Sequence, residues 1–236
     1  MSRLDLIRKE EKKYHDFCYE NYKLFEEGSW LCKPVKTVMD LLLLFNNKEN
    51  IRVLDLGSGV GRNSIPIAQE IKNKNGKVIC IDLLDSALDK LKLYSEEYGV
   101  EEVIETKKAD IGNYEITNNK FDFIVAVSTL EHVESEDIFE SVIRQMALGT
   151  KNEGINCIIV NSEVEEIDIE SNRNLDVMME INITTVNMIS KLNKIYDGWE
   201  VLNQLVKPLE YKIVRDKREV LLKTNVITYV VRNNCI

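Results

Sequence analysis

The stretch Ile51-Arg-Val-Leu-Asp-Leu-Gly-Ser-Gly-Val-Gly-Arg-Asn-Ser64 decides the fold, together with Lys77-Val-Ile-Cys-Ile-Asp82 downstream of it. Ile51, Val53, Leu54 and Leu56 form a short apolar strand. Gly57, Gly59 and Gly61 then make a turn whose backbone can approach a ligand, because no Cβ stands in the way. The turn feeds a helix over about residues 62–73. Asp82 follows about 20 residues later at the tip of the next strand, where a carboxylate accepts from two vicinal ribose hydroxyls. The unit reads as a nucleoside-binding βαβ.

The spacing says which nucleoside. A dinucleotide fingerprint is G-x-G-x-x-G, which sets bare backbone and a helix N-terminus against pyrophosphate. Here the third glycine comes one residue early, Arg62 takes the next place, and Asp55 lies two residues before Gly57. A carboxylate there repels pyrophosphate and suits a ligand with a cationic amino-acid end; S-adenosylmethionine carries both an ammonium and a sulfonium. The stretch resembles motif I of the Rossmann-like (class I) S-adenosylmethionine-dependent methyltransferases. That resemblance implies S-adenosyl-L-methionine as cofactor and S-adenosyl-L-homocysteine as product. It implies cofactor contacts from Asp55, Gly57, Ser58, Gly59, Gly61, Arg62 and Asn63 in and around the turn, and from Asp82 and Leu83 at the ribose. Ala109, Asp110 and Ile111 are implied beside the adenine, and Val127 and Ser128 at the end of a fourth strand. The segment Val127-Ser-Thr-Leu-Glu-His-Val133 is similar to the S-x-L-E-H segment of small-molecule members, which makes His132 the candidate catalytic residue. An imidazole near neutral pKa can accept a proton as the methyl moves, and the alternative is that His132 packs beside the cofactor. Glu131 is expected to begin the next helix, and no metal site is expected.

Strands and helices alternate from Ile51 onward. They predict an α/β, doubly wound, seven-stranded and mainly parallel sheet with an antiparallel C-terminal strand. Strands are expected at 51–56, 77–82, 103–107, 121–127 and 154–161, and an antiparallel pair at 199–206 and 225–231. Asp85 or Ser86 is expected to cap the helix whose core face carries Leu88, Leu91, Leu93 or Tyr94, and Tyr98. Residues 1–50 read as an N-terminal helical cap on a cofactor-binding domain at 51–236. Their aromatics Tyr14, Phe17, Tyr19, Tyr22, Phe25 and Trp30 can shape a substrate pocket or simply pack the helices.

A net charge of -9 disfavours a nucleic-acid partner. No apolar run reaches the ~18 residues of a membrane span, and the first residues lack the apolar core of a secretory leader. Cys18, Cys32, Cys80, Cys157 and Cys235 are scattered and odd in number, which predicts reduced thiols and a cytoplasmic location. The expected partner is a small-molecule methyl acceptor, and the expected assembly a monomer or homodimer. A nucleic-acid or protein methyltransferase and a non-catalytic S-adenosylmethionine-binding protein are the alternatives. The first is weakened by the charge and by the absence of an N/D-P-P-Y segment after the fourth strand.

VLDLGSGVGRNS, the run Ile195-Tyr-Asp-Gly-Trp-Glu200 and the closing VITYVVRN are similar to the tellurite-resistance methyltransferase family, which methylates chalcogen oxyanions and related soft nucleophiles. Where that family has a His-Arg pair, this chain offers Tyr211 and Lys212, with Arg215, Lys217 and Arg218 close in sequence. The segment 163–180, carrying seven carboxylates against Arg173, reads as an acidic loop on the acceptor side and favours a neutral or cationic acceptor.

Overall fold

The computed structural model describes residues 2–215 and 218–234; Lys217 and Cys235 lie outside them. Helix α1 (Arg3–Asn21) starts at a Ser2/Asp5 capping box, and a single 3-10 turn (Trp30–Cys32) leads to α2 (Lys36–Leu42). The remainder is β1 (Arg52–Leu56), α3 (Ser64–Ile71), β2 (Lys77–Asp82), α4 (Asp85–Glu97), β3 (Ile104–Lys108), β4 (Phe121–Val127), α5 (Glu136–Gly149), β5 (Thr150–Asp168), β6 (Arg173–Leu175), α6 (Thr185–Ile195), β7 (Glu200–Arg215) and β8 (Arg218–Arg232).

The sheet runs β3-β2-β1-β4-β5-β8-β7, with the short β6 paired to β5 outside that path. The first five strands are parallel, and β8 and β7 are antiparallel. Strand alternation divides the core into two layers. Val53, Cys80, Phe123, Val125 and Cys157 face a layer closed by α2, α3, α4 and the end of α1. Leu54, Leu56, Ile81, Ile124, Ala126 and Ile158 face α5 and α6. The chain builds β2 and β3 on one side of β1, then crosses to β4 on the other. The crevice at a doubly wound sheet's topological switch point therefore lies beyond the carboxyl ends of β1 and β4.

Several expected elements differ. The anticipated C-terminal pair is a long ribbon, because β7 and β8 pair from Glu200↔Arg232 to Arg215↔Arg218, with one register shift between Val201 and Asn203. The acidic segment is not simply a loop. Residues 163–168 continue β5 in the alternation exposed Glu163, buried Val164, exposed Glu165, buried Glu166. Helix α4 begins at Asp85 after an N-cap at Leu84, which offers no side-chain cap, and Leu93 is exposed. Glu131 does not begin a helix; it lies in the 3-10 turn Leu130–His132, and α5 is capped by Ser135. In the Tyr-x-Gly-Trp-Glu run, Tyr196 is buried between Trp199 and Tyr229, its hydroxyl accepting from Asn156 Nδ2 at 3.0 Å, and Gly198 sits at φ +82. That run is a packing corner of the core.

Candidate active site

The glycine turn is built from three positive-φ residues, Gly57 (+71), Gly59 (+54) and Gly61 (+95). A Cβ at Gly57 would stand 2.2 Å from Thr129 Oγ1, and one at Gly61 would stand 2.4 Å from Leu91 Cδ1. Those two glycines serve close packing, against the turn after β4 and against α4. Gly59 faces the Tyr19 hydroxyl, 3.2 Å from where its Cβ would be. Asp82 ends β2 beside it, Oδ2 accepting from Gly59 N at 2.8 Å and Oδ1 from Leu84 N at 2.9 Å. Leu83 is exposed next to it. Ser58 is buried, and its Oγ has no hydrogen-bond partner among the described residues. A buried hydroxyl left unpaired is costly, so an unpaired one in this turn fits a ligand group that completes it.

Three turn residues face inward. Asp55 pairs in register with Cys80 and Val125, on the sheet face covered by α3. It is buried, accepts from Ser64 Oγ at 2.5 Å, and burial raises its pKa to about 7 despite that bond. Through that bond Asp55 braces the start of α3 against β1. Asn63 is buried and spends its Oδ1 on Val35 N at 3.0 Å. Arg62 donates from Nη1 to Trp30 O at 3.1 Å, its guanidinium 5.0 Å over the Trp30 ring. Asn63 and Arg62 fasten the N-terminal segment to the turn.

After β3, Ala109 N donates to Asp82 O, and Ile111 is buried. Asp110 receives Gly112 N on Oδ1 at 2.9 Å and Arg8 Nη2 of α1 on Oδ2 at 2.8 Å. After β4, Val127 is half-buried; Ser128 is exposed at φ +49 and donates from N to Ile159 O at 2.7 Å. His132 Nδ1 lies 2.9 Å from Oε2 of the buried Glu180. Burial alone would lower the imidazole's pKa, but the Glu180 bond and the charges of Glu131 and Glu11 outweigh it and raise it to about 9. The pair with Glu180 favours the protonated ring, so a base role for His132 requires that pair to loosen. Proton acceptance needs a lone pair that the imidazolium lacks.

Sequence reasoning missed the rest of the site. Arg3 of α1 donates to Val177 O and Met179 O at 2.9 and 3.0 Å, Arg8 reaches Asp110, and Asp16 accepts from Ser86 Oγ at 2.5 Å. Helix α1 thus touches the segment before Glu180, the loop after β3 and helix α4. Tyr14, His15, Tyr19 and Trp30 form an edge-to-face cluster above the turn, whereas Phe17 is exposed and Phe25 packs on Tyr98. Glu166 is buried against Arg215, at 2.8 Å to its Nε. Glu131 is fully buried, Oε1 accepting from Asn161 N at 3.2 Å and from Asn161 Nδ2. Its Oε2 has no partner among the described residues. Those residues hold no group of three or more His, Cys, Asp or Glu placed to bind a metal, and none of their helices is long and apolar enough to cross a membrane.

Residues 53–154 match the methyltransferase domain family. That match takes in the glycine turn, Asp82 and the turn after β4, and the sheet order is that of the Rossmann-like methyltransferase fold. The fold is similar to that of TehB from Haemophilus influenzae, with a TM-score of 0.63 and 20% identity over 93% of this chain; this chain spans 66% of the TehB chain. It is likewise similar to YcgJ from Bacillus subtilis, with a TM-score of 0.61 and 12% identity, covering 86% of this chain and 100% of that one. A carboxy-S-adenosyl-L-methionine synthase from Vibrio parahaemolyticus is 23% identical over 188 residues, 80% of this chain and 73% of that protein.

Proposed function

We propose that this chain transfers a methyl group from S-adenosylmethionine to a small molecule, by direct in-line attack in a crevice closed by α1. The observation that carries the reading is the glycine turn at the switch point, with Ser58 Oγ unpaired and Asp82 ending the adjoining strand. When bound, the cofactor supplies a methyl already made electrophilic by its sulfonium. The chain's task is to bind, orient and exclude water, and proximity alone can lower such a barrier by about 7–11 kcal/mol. In this reading Asp82 holds the ribose hydroxyls, Asp110 the adenine amino group, and Ser58 the amino-acid end. Within the N-terminal cap 1–50 on the 51–236 domain, the first turns of α1 act as the lid, and Arg3, Arg8 and Asp16 fasten it across the crevice.

The bonds of α1 to the loop after β3 and to the segment before Glu180, and the net charge of -9, both support a small acceptor over a nucleic acid. The name of the Vibrio relative, which makes a small molecule, agrees with that. The tellurite-like reading rests on the likeness to TehB, and buried carboxylates around His132 count against an oxyanion acceptor. Calorimetry with S-adenosylmethionine and S-adenosylhomocysteine, followed by S-adenosylhomocysteine release from candidate acceptors, tests the reading. Failure to bind either ligand would overturn it, and turnover on RNA but on no small molecule would overturn the choice of acceptor.

A further inference from the structure

The crevice beyond β4 and β5 holds more anionic than cationic side chains, and its pairs leave one carboxylate over. Glu180 is matched by His132, and Glu166 by Arg215. Glu11 of α1 has His15 Nε2 at 3.5 Å. Glu131 has no cationic partner within salt-bridge distance among the described residues. One of its oxygens is held by Asn161 and the other, Oε2, is fully buried and unpaired. A buried carboxylate with a free oxygen is among the costliest arrangements in a protein interior unless something donates to it. Glu131 lies three residues past Ser128 and two past Thr129, after the carboxyl end of β4, and its charge acts on both His132 and Tyr211 of β7. Tyr14 of α1 in turn feels Tyr211. Glu131 is tied to β5 through Asn161, and its carbonyl accepts from Ile181 N at 3.2 Å, so the free oxygen belongs to the turn after β4, beside His132 and the segment that carries Glu180.

We propose that Glu131 is the anion that receives a basic nitrogen of the methyl acceptor and takes its proton, so that the substrates are amines. This rests on the methyltransferase reading above. The acceptor arrives as an ammonium and gives one proton to the Glu131 carboxylate, which becomes a carboxylic acid. The freed nitrogen lone pair attacks the methyl carbon. The N–C bond forms as the C–S bond breaks, its electron pair goes to sulfur, and the sulfonium becomes a neutral thioether. The methylated nitrogen leaves as an ammonium, and Glu131 returns its proton to solvent when the lid opens. Burial raises the pKa of Glu131 above the ordinary carboxylate range, towards that of a group able to hold the proton. Glu11, Glu166, Glu180, His132, Tyr14, Tyr211 and Arg215 face the same space from the packed elements. Two of the four carboxylates there are compensated by the cations His132 and Arg215.

The test uses the full chain saturated with S-adenosylhomocysteine, titrated calorimetrically with ethylamine, butylamine and benzylamine and with the matching alcohols. At least one amine should bind tenfold or more tightly than its alcohol. Glu131→Gln should erase that preference while leaving S-adenosylhomocysteine affinity unchanged. Equal affinity for amine and alcohol, no binding of any amine, or a preference that survives Glu131→Gln each overturns the proposal. Should the variant fail to fold, the wild-type comparison of amine with alcohol decides alone. Failure to bind S-adenosylhomocysteine would instead overturn the methyltransferase reading itself.

Discussion

Glu180→Gln removes the buried carboxylate that holds His132 as an imidazolium, and its consequences can be worked out from the site. The imidazole is raised from its ordinary 6.5 to about 9. A group raised on folding contributes stability that is fully present below its unfolded pKa and lost as pH rises through its folded one. His132 therefore stabilises the protein below pH 6.5 and loses that contribution between 6.5 and about 9. The full span corresponds to about 3 kcal/mol. Glu180 is the largest of the influences that raise the pKa, so at least about 1 kcal/mol should disappear with it, while Glu131 and Glu11 retain the rest. The chain has only two histidines, His15 and His132. A proton–carbon NMR titration of the ring C–H groups therefore shows two sets of histidine resonances, one for each residue, separable by mutating one of them. The wild-type His132 resonance should titrate near 9 and shift downward in Glu180→Gln. Chemical denaturation at pH 6 and pH 9 should show the wild-type advantage over the variant shrinking as pH rises. A wild-type His132 that titrates near 6.5, or does not move in the variant, would refute the electrostatic account and reopen a general-base role.

Replacing Asp82 by Ala should weaken S-adenosylmethionine binding by about 1–3 kcal/mol, the cost of losing charged hydrogen bonds; calorimetry on the folded variant checks it, and unchanged affinity removes the ribose assignment. Gly57→Ala sets a Cβ 2.2 Å from Thr129 Oγ1 at a φ of +71, and should cost about 1–3 kcal/mol of stability. An unaltered melting temperature would show that the turn after β4 yields freely. Arg8→Ala cuts the bond from α1 to Asp110, and should speed release of S-adenosylhomocysteine several-fold in stopped flow. An identical release rate would mean that α1 does not gate the crevice. Truncating residues 1–30 is a poorer probe, because Cys18, Tyr19 and Leu24 are part of the core.

The sequence by itself determined the βαβ unit, the doubly wound order and the class of cofactor. Those rest on local rules. Apolar runs with glycine at fixed offsets specify strand, turn and helix, and parallel strands joined by helices leave few topologies. Only the tertiary structure decided which polar groups face the crevice. Strand register turns Asp55 into the layer under α3, where Ser64 donates to it. The β5 alternation that buries Glu166 was masked in the sequence, because a charged residue stands where an apolar one marks an inward position. His132 and Glu131 were both visible in Val127-Ser-Thr-Leu-Glu-His-Val133. The protonation of His132 depends on Glu180, 48 positions away along the chain, and on Glu11 of the N-terminal helix. Charge balance in a buried site is a sum over every element that packs there, so no local pattern carries it, and folding alone brought those carboxylates together.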